Sequence, residues 1–184
     1  MEKEKIILGI DPGTTIMGYG LIEVENKEPS MVALGIIDLR NYSDHYIKLK
    51  HIFERVTSLI DQYHPDELAI EAPFYGKNVQ SMLKLGRAQG VAIAAALSRS
   101  IPIFEYAPRK IKMSITGRGN ASKEQVAMLL KNILKIKELP SNLDATDGLA
   151  AAMCHFYQAN VVLSDKSYNS WKHFMQKNPG RIKK

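Results

Sequence analysis

Two short apolar runs in this chain each end in an acidic residue. The run that begins at Ile6 ends at Asp11, and the run that begins at Leu68 ends at Glu71. Aliphatic and β-branched runs of this length are typical of buried strands. A carboxylate at the end of a buried strand is costly to desolvate unless a positive charge compensates it. The pattern therefore favours a fold in which these strand ends meet a cation.

A second pair of acids, Asp144 and Asp147, opens an Ala-rich segment that is predicted to be a helix. Residues three apart share one helix face, with Cβ atoms about 5–6 Å apart. Hard oxygen ligands of this kind suit divalent cations. Two such ions about 4 Å apart can clamp both oxygens of a phosphodiester during in-line displacement. Asp11, Glu71, Asp144 and Asp147 therefore predict a metal-dependent nuclease.

Each acid also has a simpler interpretation. Asp11 precedes Pro12 and Gly13 and could form a turn with its own backbone. Glu71 could end its strand in water, and Asp144 could simply favour the positive end of a helix dipole. These interpretations explain each acid separately. They do not explain why two strand ends and one helix start all carry acidic residues.

The hydrophobic periodicity predicts the element order β-β-β-α-β-α-β-α-α-α. The predicted strands cover 6–11, 18–25, 31–39, 67–72 and 101–107, and the predicted helices cover 44–63, 79–99, a short segment from 108, 123–134 and 144–157. Short connections favour an antiparallel meander for the first three strands. The fourth strand follows a helix, so we expect it to lie parallel to the first. The predicted fold class is α/β, a mixed five-stranded sheet flanked by helices on both faces.

Length and charge narrow the class of protein further. The 184 residues suit one domain over 1–158, followed by a basic C-terminal tail over 159–184. A net charge of +6 favours a polyanionic partner. The single cysteine excludes an internal disulfide framework. The charged start and the lack of a long apolar run predict a cytoplasmic protein.

Several basic and aromatic residues are candidates for DNA contacts. Lys123 lies in the first turn of its helix, where a cation opposes the dipole, so it could contact a phosphate or stabilise transition-state charge. It could also be a solvated surface residue. Lys112 has the same two interpretations, and Arg118 lies in the same basic stretch. Phe74 and Tyr75 could stack on an unpaired base or pack within their own loop.

The helix predicted over 79–99 carries a small or flexible residue at every fourth position. The members of this stripe are Met82, Gly86, Gly90, Ala94 and Ser98. Small residues at this spacing let another backbone approach closely. The stripe therefore packs either on the chain's own sheet or against its symmetry mate in a homodimer.

Taken together, these motifs resemble the RuvC Holliday-junction resolvases over about residues 5–158. The resemblance is carried by 7–13 with 18–20, 69–71 with Phe74, 83–91, 104–108 and 144–150. It implies an RNase H-like fold and a homodimer that cuts two like-polarity strands at a four-way DNA junction with Mg²⁺ or Mn²⁺. It also implies two metal ions per active site, held by the four carboxylates already named.

The resemblance assigns further roles by position. Phe74 matches an aromatic near the junction centre, and Lys112 and Lys123 match basic residues of the DNA surface. The expected activity is a crossover junction endodeoxyribonuclease that acts in recombination and repair and leaves 5′-phosphate and 3′-hydroxyl ends. Branch-migration proteins of the RuvA and RuvB type are expected partners. A bacterial, cytoplasmic location is expected, with nucleoid association during action.

Three other functions fit part of the sequence. A ribonuclease H would use the same acids on RNA–DNA hybrids, and a 2′-hydroxyl requirement would distinguish it. An ATP-binding module of the actin and sugar-kinase type also has an Asp-x-Gly-Thr-Thr loop, which matches residues 11–15. Such modules duplicate the domain, however, and no second phosphate loop is visible. A non-catalytic junction-binding protein would not need four converging acids.

Overall fold

The computed structural model describes residues 5–73 and 78–164. Phe74, Tyr75 and the segment 165–184 lie outside the described residues. The strands are β1 (Lys5–Asp11), β2 (Ile16–Glu25), β3 (Glu28–Asp38), β4 (Glu67–Glu71) and β5 (Ile103–Tyr106). The helices are α1 (His45–Tyr63), α2 (Val79–Leu97), α3 (Pro108–Thr116), α4 (Lys123–Ile133) and α5 (Asp144–Ser164).

The five strands form one sheet in the order β3-β2-β1-β4-β5. β1 pairs with β2, and β2 with β3, in antiparallel fashion. β1 pairs with β4, and β4 with β5, in parallel fashion. The predicted element order and the mixed sheet are thus confirmed. The strands that end in Asp11 and Glu71 are direct neighbours, as a parallel pairing requires.

Side-chain alternation along the strands divides the core into two layers. Leu8, Ile10, Leu68 and Ile70 pack with α1 and α2 on one face of the sheet. Ile7 and Ala69 pack with α5 on the other face. Full burial of such a side chain contributes about 1.5–3 kcal/mol of transfer free energy. The alternation therefore fixes which face of the sheet each strand-end carboxylate joins.

The central helix α5 lies unusually close to β1 and β2 because glycines line the contact. A Cβ atom on Gly18 would collide with the carbonyl oxygen of Asp144, and one on Gly148 would collide with the backbone of Tyr19. Gly in a strand often marks such a close approach of another backbone. The structure places Gly18 and Gly20 inside β2, in agreement with the predicted strand over 18–25, and both face α5.

The start of β3 and the end of α5 differ from the predicted positions for physical reasons. β3 begins at Glu28 because Asn26 and Lys27, with φ of 51° and 68°, form a two-residue turn that brings Glu28 opposite Glu25. α5 ends at Ser164, not at 157, since the sequence holds no Gly or Pro there to stop it. The boundary predicted at 158 therefore falls inside a helix. Within the described ranges, no helix is long and apolar enough to cross a membrane.

The face of α2 that packs on the sheet is not the predicted small-residue stripe. Residues Ala88, Ala92, Ala95 and Ala96 are fully buried. A Cβ atom added to Gly86 or Gly90 would meet no atom of the described part of the chain within 4 Å. The interpretation in which the stripe packs on the chain's own sheet is therefore wrong for these two glycines, and they lie on an open surface.

Candidate active site

Asp11 and Glu71 lie side by side at the carboxyl ends of two parallel strands. Ile10 pairs with Ile70, so Asp11 and Glu71 are the next residues in register. Because Ile10 and Ile70 face α1 and α2, the residues that follow them face α5. Both carboxylates therefore point into the layer that contains α5.

The other two acids reach the same place from the first turn of α5. In the β1–β2 pairing, Asp11 lies opposite Gly18, and Gly18 contacts the backbone of Asp144. The start of the helix is fixed by the side chain of Asn142, which accepts a hydrogen bond of 2.9 Å from the Asp144 backbone amide. Asp147 lies one turn further along the same helix face. The helix thus brings both carboxylates to the end of β1.

Lys123 joins this group from α4. Ser122 and Gln125 form a capping box that starts the helix at Lys123. The Lys123 ammonium group bonds to Asp144 Oδ1, and it lies 2.6 Å from Asp147 Oδ2. The interpretation as a solvated surface lysine is therefore wrong, because its charge is held between two of the predicted metal ligands.

Burial and mutual repulsion shift the protonation of the carboxylates. Burial, followed by the neighbouring Asp147 charge, raises the pKa of Asp11 to about 7. Burial, followed by the Asp11 charge, raises the pKa of Glu71 to about 8. Burial also raises the pKa of Asp147, although the hydrogen bond from Lys123 opposes this. The three carboxylates therefore lie close enough to repel one another, and one ammonium group does not neutralise them.

This donor set suits a hard divalent cation. It contains only carboxylate oxygens, which are ligands that Mg²⁺ and Mn²⁺ prefer. Lys123 already provides a cation between Asp144 and Asp147. Among residues 5–73 and 78–164, the structure contains no group of three acidic, histidine or cysteine side chains close enough together to enclose a metal ion. The chemistry of the donors fits the metal, and enclosing it requires a shift of side chains.

The residues predicted to contact DNA differ in whether the structure places them near the acids. Lys112, on α3, lies close enough for its charge to lower the pKa of both Glu71 and Asp147, against the larger effect of burial. Arg118 is exposed in the loop after α3, and its charge is not among the causes of the pKa shifts of Asp11, Glu71 and Asp147. Phe74 and Tyr75 lie outside the described residues. The structure thus brings Lys112 and Lys123 to the acids but not Arg118.

Sequence reasoning missed two contributions to the site. The first is the set of glycines that lets α5 approach the sheet, for which the alternation Gly18-x-Gly20 inside an apolar strand is a usable signal. The second is Gln89, a buried residue of α2 that donates a hydrogen bond to the backbone carbonyl of Glu71. No sequence signal distinguishes it from an exposed helical glutamine.

Comparison with known proteins identifies one family. Residues 7–155 match the family model described as Crossover junction endodeoxyribonuclease RuvC. A protein of that name from Christiangramia forsetii is 65% identical over 183 residues, which cover 100% of this chain and 95% of the relative. The one from Bacteroides fragilis is 66% identical over 183 residues, covering 98% of this chain and 97% of the relative.

Solved structures agree with this result. The Thermus thermophilus RuvC structure superposes with a TM-score of 0.76 at 29% identity, covering 85% of this chain and 96% of that one. T. thermophilus RuvC in complex with Holliday junction substrate gives a TM-score of 0.79 at 27% identity, covering 86% and 96%. These likenesses confirm the predicted RNase H-like fold class.

Proposed function

The chain belongs to the RuvC family of crossover junction endodeoxyribonucleases, and from this premise we propose that it resolves Holliday junctions. It would nick two strands of a four-way DNA junction symmetrically during recombination and repair. The observation that carries the proposal is the meeting of Asp11, Glu71 and Asp147 at one sheet edge, where their charges repel one another. A site of this kind is built to take up cations beside a phosphodiester.

Asp11, Glu71, Asp144 and Asp147 are proposed to hold two Mg²⁺ ions, for which Mn²⁺ can substitute. When bound, such a pair of ions supplies an activated water molecule and neutralises charge on both sides of the scissile phosphate. The chain's own residues orient the reaction. Asp11 and Glu71 are fixed by strand register, and the first turn of α5 holds Asp144 and Asp147. Cleavage of the P–O3′ bond would leave a 5′-phosphate and a 3′-hydroxyl.

Lys123 is proposed to move from the carboxylates of Asp144 and Asp147 to the DNA phosphate when metal ions bind. In the structure its ammonium group bonds to Asp144 and Asp147. If these carboxylates held a metal ion, the Lys123 ammonium group would be free to contact the phosphate, where a fixed positive charge stabilises the transition state. We therefore assign Lys123 both to catalysis and to DNA binding.

DNA binding is proposed to use the whole edge of the sheet at which the acids lie. The five helices of the described ranges all begin at this edge. α1, α2 and α3 follow the ends of β3, β4 and β5, and the starts of α4 and α5 meet through Lys123 and Asp144. Helix N-termini favour phosphate groups. Lys112 and Arg118 would add affinity with little sequence information. Phe74 and Tyr75, which follow β4 in the chain, are proposed to stack on bases near the junction centre.

A homodimer is the proposed assembly, because symmetric cutting needs two sites. α2 exposes three large apolar side chains, Val79, Leu83 and Leu97, which are 52–64% exposed. Gly86 and Gly90 lie between them along the helix and face open space. Val79 and Leu83 are four positions apart and Leu97 follows Leu83 by two heptads, and apolar residues that share one helix face in this way are typical of a helix–helix seam. Branch-migration proteins of the RuvA and RuvB type are proposed as partners. The proposed location is the bacterial cytoplasm.

The test is cleavage of a synthetic mobile four-way junction beside a linear duplex and an RNA–DNA hybrid, with Mg²⁺ and with EDTA. We expect paired, ligatable nicks in the junction alone, and only with the metal. Asp11→Asn should bind the junction like the wild type and fail to cut it. Cutting confined to the hybrid would assign the protein as a ribonuclease H, and normal cutting by Asp11→Asn would exclude the proposed metal site.

A further inference from the structure

Gln89 is a buried polar residue that none of the proposed roles uses. It lies on α2 with only 7% of its surface exposed. Its neighbours Ala88 and Ala92 pack on the sheet, while Gly86 and Gly90 face open space. Gln89 therefore lies at the border between the buried and the open faces of the helix.

The side-chain amide of Gln89 bridges the ends of two strands. Nε2 donates one hydrogen bond of 3.2 Å to the backbone carbonyl of Glu71 and one of 2.9 Å to Glu105 Oε2. A glutamine amide nitrogen has two hydrogens, so both donors are in use. Glu71 is the last residue of β4, and Glu105 lies beside it on β5, opposite Ile70. The amide thus connects α2 to the last residue of the metal-site strand.

Glu71 needs a restraint that keeps it beside the other acids. Its side chain faces α5, where the charges of Asp11 and Asp147 repel it. β4 ends at Glu71, and the Ala72 amide that follows donates a hydrogen bond of 2.9 Å to the Tyr106 carbonyl. A hydrogen bond on the Glu71 carbonyl restrains the rotation of this residue away from its neighbours.

We propose that Gln89 is a positioning residue that holds Glu71 in place for metal binding. Glu105 in turn orients the amide by taking its second hydrogen. The proposal rests on the proposed function in that it assigns Glu71 as a ligand. Residues that orient a metal ligand typically change metal affinity by 10–100-fold when they are replaced, so we expect Gln89 to act on affinity and not on the chemistry at saturating metal.

The test compares Gln89→Met, which keeps the volume and removes both donors, with the wild-type full chain. We expect the Mg²⁺ concentration for half-maximal junction cleavage to rise by roughly 10-fold or more, with the rate recovered at saturating Mg²⁺. Titration calorimetry of the protein alone with Mn²⁺ should give a matching loss of affinity. Junction binding in EDTA should be unchanged. Gln62→Met, an exposed position on α1, is the matched control and should behave as the wild type.

A second variant separates positioning from folding. Glu105→Gln keeps an acceptor oxygen for the amide and should stay within about 3-fold of wild-type metal affinity, since one hydrogen bond is weakened and none is lost. Unchanged metal dependence in Gln89→Met would overturn the inference. So would a lower Tm with a rate that Mg²⁺ does not restore, because that result marks a purely structural role. If the wild type fails to cut junctions, the proposed function fails, and the Mn²⁺ titration still decides the role of Gln89.

Discussion

The backbone of Gly18 in β2 lies directly against the backbone of Asp144 at the start of α5, with no room for a Cβ atom between them. Gly18 is also the residue opposite Asp11 in the β1–β2 pairing. One glycine therefore sets the separation between the carboxylate on β1 and those on α5. The geometry of the proposed active site therefore depends on a residue that has no side chain.

Replacing Gly18 with Ala should displace the first turn of α5 and reduce cleavage strongly. Overpacking of this kind costs about 1–3 kcal/mol of stability. A shift of about 1 Å in catalytic groups can lower the rate by about 100-fold. Junction cleavage rates and the free energy of unfolding should be measured together.

Ile22→Val is the stability control for this prediction. Ile22 is fully buried in the same β2–α5 layer, and its truncation costs about 1 kcal/mol without crowding α5. It should keep near-normal cleavage. If Gly18→Ala also cuts junctions at the wild-type rate, the close approach of α5 does not set the geometry of the site.

Lys123→Ala should remove cleavage while leaving the fold intact. Its ammonium group is the cation held between Asp144 and Asp147, and loss of one preorganised charge typically costs about 10²–10³ in rate. Single-turnover cleavage at saturating protein measures this effect apart from DNA affinity. Lys131→Ala, in the last turn of the same helix, serves as the control. Rates that are equal in the two variants would exclude a catalytic role for Lys123.

Leu83→Glu should separate the proposed dimer without unfolding the monomer. Leu83 is 52% exposed on the open face of α2, so a charge there is tolerated in water but not in an apolar seam. Sedimentation velocity should show a dimer for the wild type and a monomer for the variant. Met128→Glu changes a side chain on α4 that is 53% exposed, and it should remain dimeric. A dimeric Leu83→Glu protein would move the interface away from α2.

A hydrogen-bond network around the buried His155 joins β4, β5 and α5. His155 lies 2.5 Å from the Tyr106 hydroxyl through Nδ1 and 2.5 Å from Glu67 Oε2 through Nε2. Lys5 pairs with the same Glu67 oxygen at 2.5 Å. Within the network a neutral imidazole accepts from Tyr106 and donates to Glu67.

The network predicts a loss of stability in mild acid. Burial lowers the pKa of His155 below its ordinary value of 6.5, although Glu67 opposes this. Below pH 6.5 the unfolded chain therefore binds more protons than the folded one at this residue, and stability falls as the pH falls toward the folded-state pKa. Above pH 6.5 the contribution is fully present.

Urea unfolding between pH 5 and 8 checks this sign. His155→Asn should lose about 1–3 kcal/mol at pH 8, because it leaves buried partners unsatisfied, and should show a flatter pH dependence below 6.5. Ile52→Val, which removes a methylene from the fully buried Ile52, should lower stability equally at all pH values. An unchanged slope in His155→Asn would assign the acid sensitivity to other groups.

Much of the fold followed from local sequence patterns. The apolar runs before Asp11 and Glu71, the hydrophobic periodicity and the short connections predicted the element order and the mixed sheet that the structure contains. The pair Asp144 and Asp147 was recognisable because a helix places residues three apart on one face. These features depend on neighbours in the chain, so the sequence contains them directly.

The tertiary structure decided what depends on residues far apart in the chain. Lys123 meets Asp144 across 21 positions, and Gln89 meets the Glu71 carbonyl across 18. The close approach of α5 to the glycines of β1 and β2 also depends on tertiary packing. So does the position of Gly86 and Gly90 on the face of α2 that does not contact the sheet. The sequence by itself determined which chemical groups are available and on which elements. Only the packing of those elements determined which groups share a low-dielectric space, because repulsion and hydrogen bonding depend on distances that local periodicity does not fix.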